Sequence, residues 1–155
     1  MMKRIDIISD THGRLSKELL HAIQGADLVV HAGDFTSERD VETLKGCTKA
    51  FEAVLGNNDR YYEYGPELQE LNEFVYEGLR FSVAHYRQDL PIERSDVAIC
   101  GHTHRPDIIR TKSCLIINPG SPTYSRDPRG PTMARLFVDE GRVIMVKIVE
   151  LRPSR

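Results

Sequence analysis

Ile5-Asp6-Ile7-Ile8-Ser9-Asp10-Thr11-His12, followed by Leu15-Ser16-Lys17-Glu18-Leu19-Leu20-His21-Ala22-Ile23, is the stretch on which the fold turns. Its first half is a short apolar run of strand length, and its second places Leu15, Leu19, Leu20 and Ile23 at helical spacing. A strand therefore leads into a helix, with Asp10 and His12 in between. The unit then repeats. Leu28-Val29-Val30-His31 reads as a second strand, Ser37 to Lys45 as a polar helix ended by Gly46, and Ala50 to Leu55 as a third strand. Alternating strands and helices with short connections predict an α/β layered fold, whose sites gather beyond the carboxyl ends of strands.

After Gly65-Pro66 the pattern becomes strand and turn. Glu73–Tyr76 and Leu79–Ala84, joined by Glu77-Gly78, predict a hairpin. Further strands are expected at Val97–Cys100, Asp107–Thr111, Cys114–Ile117, Met133–Val138 and Arg142–Val149. The imperfect alternation of Val143 to Val149 suggests a strand covered on both faces. Gly120 to Pro131 is a long Pro-, Gly- and Arg-rich loop, and such insertions in compact domains are often functional.

At 155 residues, 40% hydrophobic and 28% charged, residues 1–155 are expected to form a single domain. No apolar tract is long enough to span a membrane. Met1-Met2-Lys3-Arg4 runs directly into a strand, so no signal peptide is expected and the cytoplasm is the expected location. Cys47, Cys100 and Cys114 are odd in number and widely spaced, which fits a reducing compartment, and Cys100 lies in an apolar run as an inert buried thiol. Residues 105–135 carry a net +4 within a chain of net −2, so the remainder sums to −6. An acidic part suits cations and a basic part suits phosphate. No basic block is long enough to predict nucleic-acid binding.

Five polar clusters each follow an apolar run: Asp10-Thr11-His12, Gly33-Asp34, Gly56-Asn57-Asn58-Asp59, His85, and Gly101-His102-Thr103-His104. Strand ends are rigid, and the residue just beyond can point into a cleft. Asp10 with His12, and His102 with His104, project to one side if the backbone there is extended. Singly, each cluster has a plainer reading as a helix cap or turn. Their joint occurrence in this order points to a metal site. His31 reads as a near-core histidine and His21 as a helix-surface one.

This order of motifs, closed by Asn118-Pro119-Gly120-Ser121, resembles the calcineurin-like metallophosphoesterase superfamily, and within it the small single-domain phosphodiesterases. The resemblance implies an α/β fold, a four-layer α-β-β-α sandwich of two mixed β-sheets flanked by helices. It implies that Asp10, His12, Asp34 and His104 hold one divalent ion and that Asp34, Asn57, His85 and His102 hold a second, with Asp34 bridging. Carboxylate and imidazole ligands suit Mn²⁺ foremost, and also Ni²⁺, Fe²⁺, Zn²⁺ or Mg²⁺. The reaction implied is in-line attack on phosphorus by a hydroxide held between the ions. A small phosphodiester is the expected substrate, and a homo-oligomer is compatible with the chain.

Two positions depart from the family's pattern. Where many relatives have a histidine that protonates the leaving oxygen, this chain has Asn58, which cannot act as a general acid at neutral pH. Asn58 and Asp59 are nevertheless the residues of this cluster expected near the chemistry, with Asn58 as a phosphate donor. Where relatives commonly have glycine after the lone histidine, this chain has Tyr86. Arg126 and Arg129 in the long loop are candidate phosphate contacts. The rival reading is a non-catalytic scaffold, since the same fold serves in a retromer-type interaction subunit with a degraded metal site. That reading predicts at least one missing ligand.

Overall fold

The computed structural model describes residues 1–152. Its elements are β1 (Lys3–Ile8), α1 (Lys17–Ala22), β2 (Leu28–His31), α2 (Glu38–Cys47), β3 (Phe51–Ala53), β4 (Leu71–Tyr76), β5 (Leu79–Ala84), β6 (Val97–Ile99), β7 (Pro106–Arg110), β8 (Leu115–Pro119), β9 (Thr132–Asp139) and β10 (Arg142–Glu150). Ser16 and Ser37 start the helices. Their hydroxyls accept from the amides of Leu19 at 3.1 Å and Asp40 at 3.2 Å, satisfying donors that a helix start leaves without partners. Gly46 does not end α2. The helix continues to Cys47, and the extended Thr48 closes it by donating its hydroxyl to the Leu44 carbonyl at 2.7 Å, so no left-handed glycine is needed.

Two mixed five-stranded sheets result, ordered β10-β9-β1-β2-β3 and β4-β5-β6-β8-β7. In the first, β1, β2 and β3 run parallel, and in the second β5, β6 and β8 do. Alternation along β1 explains the sandwich. Ile5 and Ile7 face the second sheet and pack with Phe81, Val83, Ile99 and Ile117, whereas Ile8 faces the helices and packs with Leu19, Val41 and Leu44. Each fully buried Leu or Ile stabilises the fold by about 1.5–3 kcal/mol relative to an exposed one. The architecture is the expected α/β sandwich, with both helices over the first sheet. Over the second, the outer layer consists of two 3₁₀ turns, Arg87–Asp89 and Ile92–Arg94, with Leu90 between them packed on Ala98, Cys100 and Ile116.

β10 is not covered on both faces. It is an edge strand in which Ile144 and Met145 are 54% and 46% exposed, and its register slips between Val143 and Met145. One extra residue there shifts the side chains by one face, which accounts for the broken alternation.

Asp6 is the polar residue on the helix-facing side of β1, fully buried between two arginines. Arg4 reaches it at 2.8 Å and Arg135, from β9, also at 2.8 Å. Both guanidinium groups also donate to the Ala22 carbonyl at the end of α1. Asp6→Ala would leave two cations facing an apolar layer, a change that costs about 3–5 kcal/mol in comparable buried pairs. A chemical denaturation midpoint within error of wild type would contradict this.

Candidate metal centre

The parallel strands of both sheets deliver their carboxyl ends to one rim. The Ala32 amide bonds the Ile8 carbonyl at 2.9 Å, and the amides of Asp10, His12 and Gly13 continue onto the carbonyls of Gly33, Asp34 and Phe35 at 2.9, 3.1 and 2.7 Å. The loops after β1 and β2 therefore travel together. The Gly101 amide binds the His85 carbonyl at 3.0 Å and ties the β5 and β6 loops in the same way. The long loop after β8 crosses them, with the Ser121 hydroxyl donating to the Asp10 carbonyl at 2.8 Å and the Arg126 amide to the His104 carbonyl at 3.0 Å.

The backbone at the paired positions is left-handed, not extended. Asp10, His12, Asp34, His102 and His104 have φ of 55°, 46°, 65°, 73° and 60°. Such values are uncommon for residues other than glycine and cluster where surrounding contacts enforce them for a functional reason. Convergence of these side chains thus comes from sharp local turns held by neighbouring loops. Glycine permits the loops to touch. A Cβ on Gly33 would lie 2.7 Å from the Gly56 amide nitrogen and 2.9 Å from His85 Nδ1, and one on Gly56 would collide with the Asp34 carboxylate.

Two groups of donor atoms converge: Asp10, His12 and His104, and Asp10, Asp34 and His85. His12 Nε2 and His104 Nε2 are 3.2 Å apart, Asp10 Oδ1 is 3.3 Å from His104 Nε2, and Asp34 Oδ2 is 3.4 Å from His85 Nε2. Donors that share an ion at about 2.0–2.2 Å stand about 3 Å from one another, so the spacing is of the right size. Asp10 Oδ1 also lies 3.7 Å from His85 Nε2, and Asp34 Oδ2 lies 3.7 Å from His12 Nε2. Both carboxylates therefore stand between the histidines.

The orientation of each donor is set from behind. His85 Nδ1 is 2.8 Å from the Ala32 carbonyl and His104 Nδ1 is 2.6 Å from the Tyr124 carbonyl, so each ring donates from Nδ1 and turns Nε2 toward the carboxylates. Asp10 Oδ2 accepts from Ser9 Oγ at 2.6 Å and from the His102 amide at 3.0 Å, which leaves Oδ1. Asp10 Oδ1, Asn57 Oδ1 and His85 Nε2 are buried without a hydrogen-bond partner. Asp10 Oδ1 and His85 Nε2 stand 3.7 Å apart, and two such orphans side by side would cost about 1–3 kcal/mol each, a cost that a bound cation removes.

Charge is arranged accordingly. Burial works against the Asp34 anion, yet its contacts with His85 and Asn58 hold its carboxyl far below the usual range, and Asp10, also opposed by burial, is lowered by His104 and His85. His85 stays above the ordinary histidine value despite burial, because Asp34 and Asp10 face it, and Asp10 raises His104. His31 is different: fully buried, stacked on Phe35 at 3.7 Å and bonded to Thr11 Oγ1 at 3.0 Å, it is pushed by burial down to about 3. It is a near-core histidine. Burial pushes the Cys100 thiol up to about 12, which fits an inert role.

The contacts of the other candidate residues distinguish them from these donors. His102 belongs to neither donor group. Its ring is exposed and packs on Tyr86 at 4.6 Å, while its backbone amide serves Asp10. The Asp59 carboxylate is 1% exposed and accepts from the amides of Asp34, Gly56 and Thr36 and from the Tyr64 hydroxyl, at 2.7, 2.8, 3.0 and 2.8 Å. It braces the loops that carry Asp34 and Asn57, a role legible only from the contacts. Asn58 is held by Asp34. Its backbone amide and side-chain amide each donate to Asp34 at 2.9 Å. Arg129 is bound to Asp127 at 2.8 Å and to the Pro106 carbonyl at 3.3 Å, so its guanidinium is not free for phosphate. Arg126 makes no ion pair among the described residues and lines an open cleft with His12, His104 and Tyr124. Tyr124, which the sequence offers only as a residue that could shape a pocket, orients His104 through its carbonyl, and its ring lies edge-on to His12 at 5.7 Å.

Residues 2–141 match the calcineurin-like phosphoesterase superfamily domain. A probable metallophosphoesterase of Methanocaldococcus jannaschii is 33% identical over 94% of this chain and 82% of its own length. A phosphodiesterase of the same organism is 29% identical over 76% of this chain and 82% of its own. Among solved structures, vacuolar protein sorting 29 of Cryptosporidium parvum superimposes with a TM-score of 0.75 over 96% of this chain and 97% of its own, at 20% identity, a likeness of fold alone. Among the described residues no helix is long and apolar enough to cross a membrane.

Proposed function

The chain belongs to the calcineurin-like phosphoesterase superfamily, and from that premise we propose that it is a phosphodiesterase dependent on two divalent ions. The observation that carries this reading is the pair of buried atoms without hydrogen-bond partners, Asp10 Oδ1 and His85 Nε2, 3.7 Å apart where the two histidine-carboxylate groups meet, with Asn57 lining a cleft beside His85. Asp10, His12 and His104 would hold one ion, and Asp34, His85 and Asn57 the other, with Asp10 and Asp34 placed to serve both. His102, whose ring lies 5.2 Å from the His85 ring, stands beside the second group. The mixed oxygen and nitrogen donors suit Mn²⁺, and no thiolate faces the site.

When bound, such ions polarise the phosphoryl oxygens and supply a water acidic enough to attack phosphorus. The remaining work belongs to the chain. Asp10 and Asp34 are kept anionic, His85 and His104 are held with Nε2 inward, and the Asp59 brace keeps the two loops at fixed separation. Arg126 supplies a cation for a non-bridging oxygen. Asn58 holds Asp34 and has no proton to give the leaving oxygen, so esters with good leaving groups are favoured. A scaffold with a degraded site would lack one of these donors, and here each position is filled.

The test is metal content together with turnover of bis(p-nitrophenyl) phosphate and p-nitrophenyl phosphate, with Mn²⁺, Ni²⁺ or Mg²⁺ added. Diester hydrolysis that requires a divalent ion, stops with chelator and exceeds monoester hydrolysis is expected. A protein that binds no divalent ion and turns over neither ester would instead be a scaffold.

A further inference from the structure

Beside His102 lies a groove of about 420 Å³, within the range of about 300–1,000 Å³ typical of small-molecule sites. Its lining combines buried Cys100 and Ile116 with half-buried Ile109, and it includes Tyr86 and His102, whose rings are 4.6 Å apart. Arg87 and Arg105 also line it, exposed, and neither forms an ion pair with a described residue. His102 lines this groove, its amide holds Asp10 Oδ2 and its ring lies 5.2 Å from the His85 ring, so the groove borders the donor cluster. Tyr86 is the residue that departs from the glycine expected after His85. Here its ring lies against His102 and supplies an aromatic wall that glycine would leave out.

We propose that this groove receives a planar ring on one ester arm of the substrate diester, and that Tyr86 selects for it. An apolar floor with an aromatic wall favours a flat, weakly hydrated group, and the donor cluster at the mouth leaves the phosphate within reach of the ions. The Arg87 and Arg105 guanidinium planes can stack on such a ring, while Asp107 and Asp127 on the same lining offset their charge. A short alkyl arm would leave the groove to water and gain nothing from it. The inference rests on the phosphodiesterase reading, because it names the arm that reading leaves open.

Thymidine 5′-(p-nitrophenyl phosphate) and methyl p-nitrophenyl phosphate release the same p-nitrophenolate and carry the same charge, so they differ only in the second arm. In the Mn²⁺-loaded protein kcat/KM is expected to favour the thymidine ester by about 10-fold or more, the scale of one stacked ring. Tyr86→Gly should bring the ratio to near 1, Tyr86→Phe should keep it, and Arg105→Ala, at an exposed position, should lower it. Calorimetric affinities of the products, thymidine 5′-monophosphate against methyl phosphate, should show the same ratios without turnover. Ratios equal in wild type and Tyr86→Gly, in both measurements, would overturn the groove assignment. If neither diester is hydrolysed but the monophosphates still separate in a Tyr86-dependent way, the groove stands and the hydrolytic reading falls.

Discussion

Asp10→Ala and Asp34→Ala are each expected to lower kcat/KM for an activated diester by about 10³-fold or more. Metal ions stabilise developing charge on phosphoryl oxygens by several kcal/mol, and each 1.36 kcal/mol is a factor of ten in rate. Asp10 is the residue common to both donor groups, and Asp34 Oδ2 stands within 3.7 Å of His12 and His85, so removing either carboxylate affects both halves of the cluster. The folded state should tolerate the loss. Each carboxylate is a buried anion whose neighbours are polar groups able to take water in its place. The measurement is kcat/KM alongside bound metal per chain and the thermal midpoint. Variants that stay folded, with activity within about tenfold of wild type, would refute the two-ion proposal.

Asp59→Ala is expected to act differently, lowering stability and activity together. The substitution strips partners from three backbone amides and the Tyr64 hydroxyl around a carboxylate that is 1% exposed. At about 1–3 kcal/mol for each buried donor left unsatisfied, and allowing for water entering the space, the loss is at least about 3 kcal/mol. For a chain of this size that is a fall in Tm of roughly 6–12 °C. The amides of Asp34 and Gly56 are among those released, so the donor cluster loosens with the fold. Metal affinity should fall in parallel with Tm. A variant with unchanged Tm and lost turnover would show instead that Asp59 takes part in the chemistry.

The two predictions separate residues that look alike in the sequence. Asp34 and Asp59 both follow an apolar strand and both sit beside glycine or asparagine, which is why each stood as a candidate for the site. Their difference is one of partners. The Asp59 oxygens are filled by backbone amides and the Tyr64 hydroxyl, whereas Asp10 Oδ1 has no donor and Asp34 Oδ2, besides accepting from Asn58, stands 3.4 Å from His85 Nε2 and 3.7 Å from His12 Nε2. Arg126 and Arg129 divide in the same way, because Asp127 neutralises Arg129 and leaves Arg126 on the cleft. Nothing in the spacing Arg126-Asp127-Pro128-Arg129 says which arginine the aspartate takes.

What the sequence by itself determined was the order of elements and the donor inventory. Periodicity along Ile5 to Ile23 and in the segments after it sets strand against helix, since burial of one face repeats at a fixed interval. The chemistry of Asp, His and Asn at strand ends limits the site to hard or borderline cations. Only the tertiary structure decided how those donors meet. The left-handed turns at Asp10, His12, Asp34, His102 and His104 are uncommon conformations for such residues, and they persist because neighbouring loops hold them with backbone hydrogen bonds. The brace at Asp59, the turn of His102 onto Tyr86 and the groove beside it likewise arise between segments apart in the chain. Local sequence carries propensity and pattern, whereas long-range contacts decide which side chains face one another.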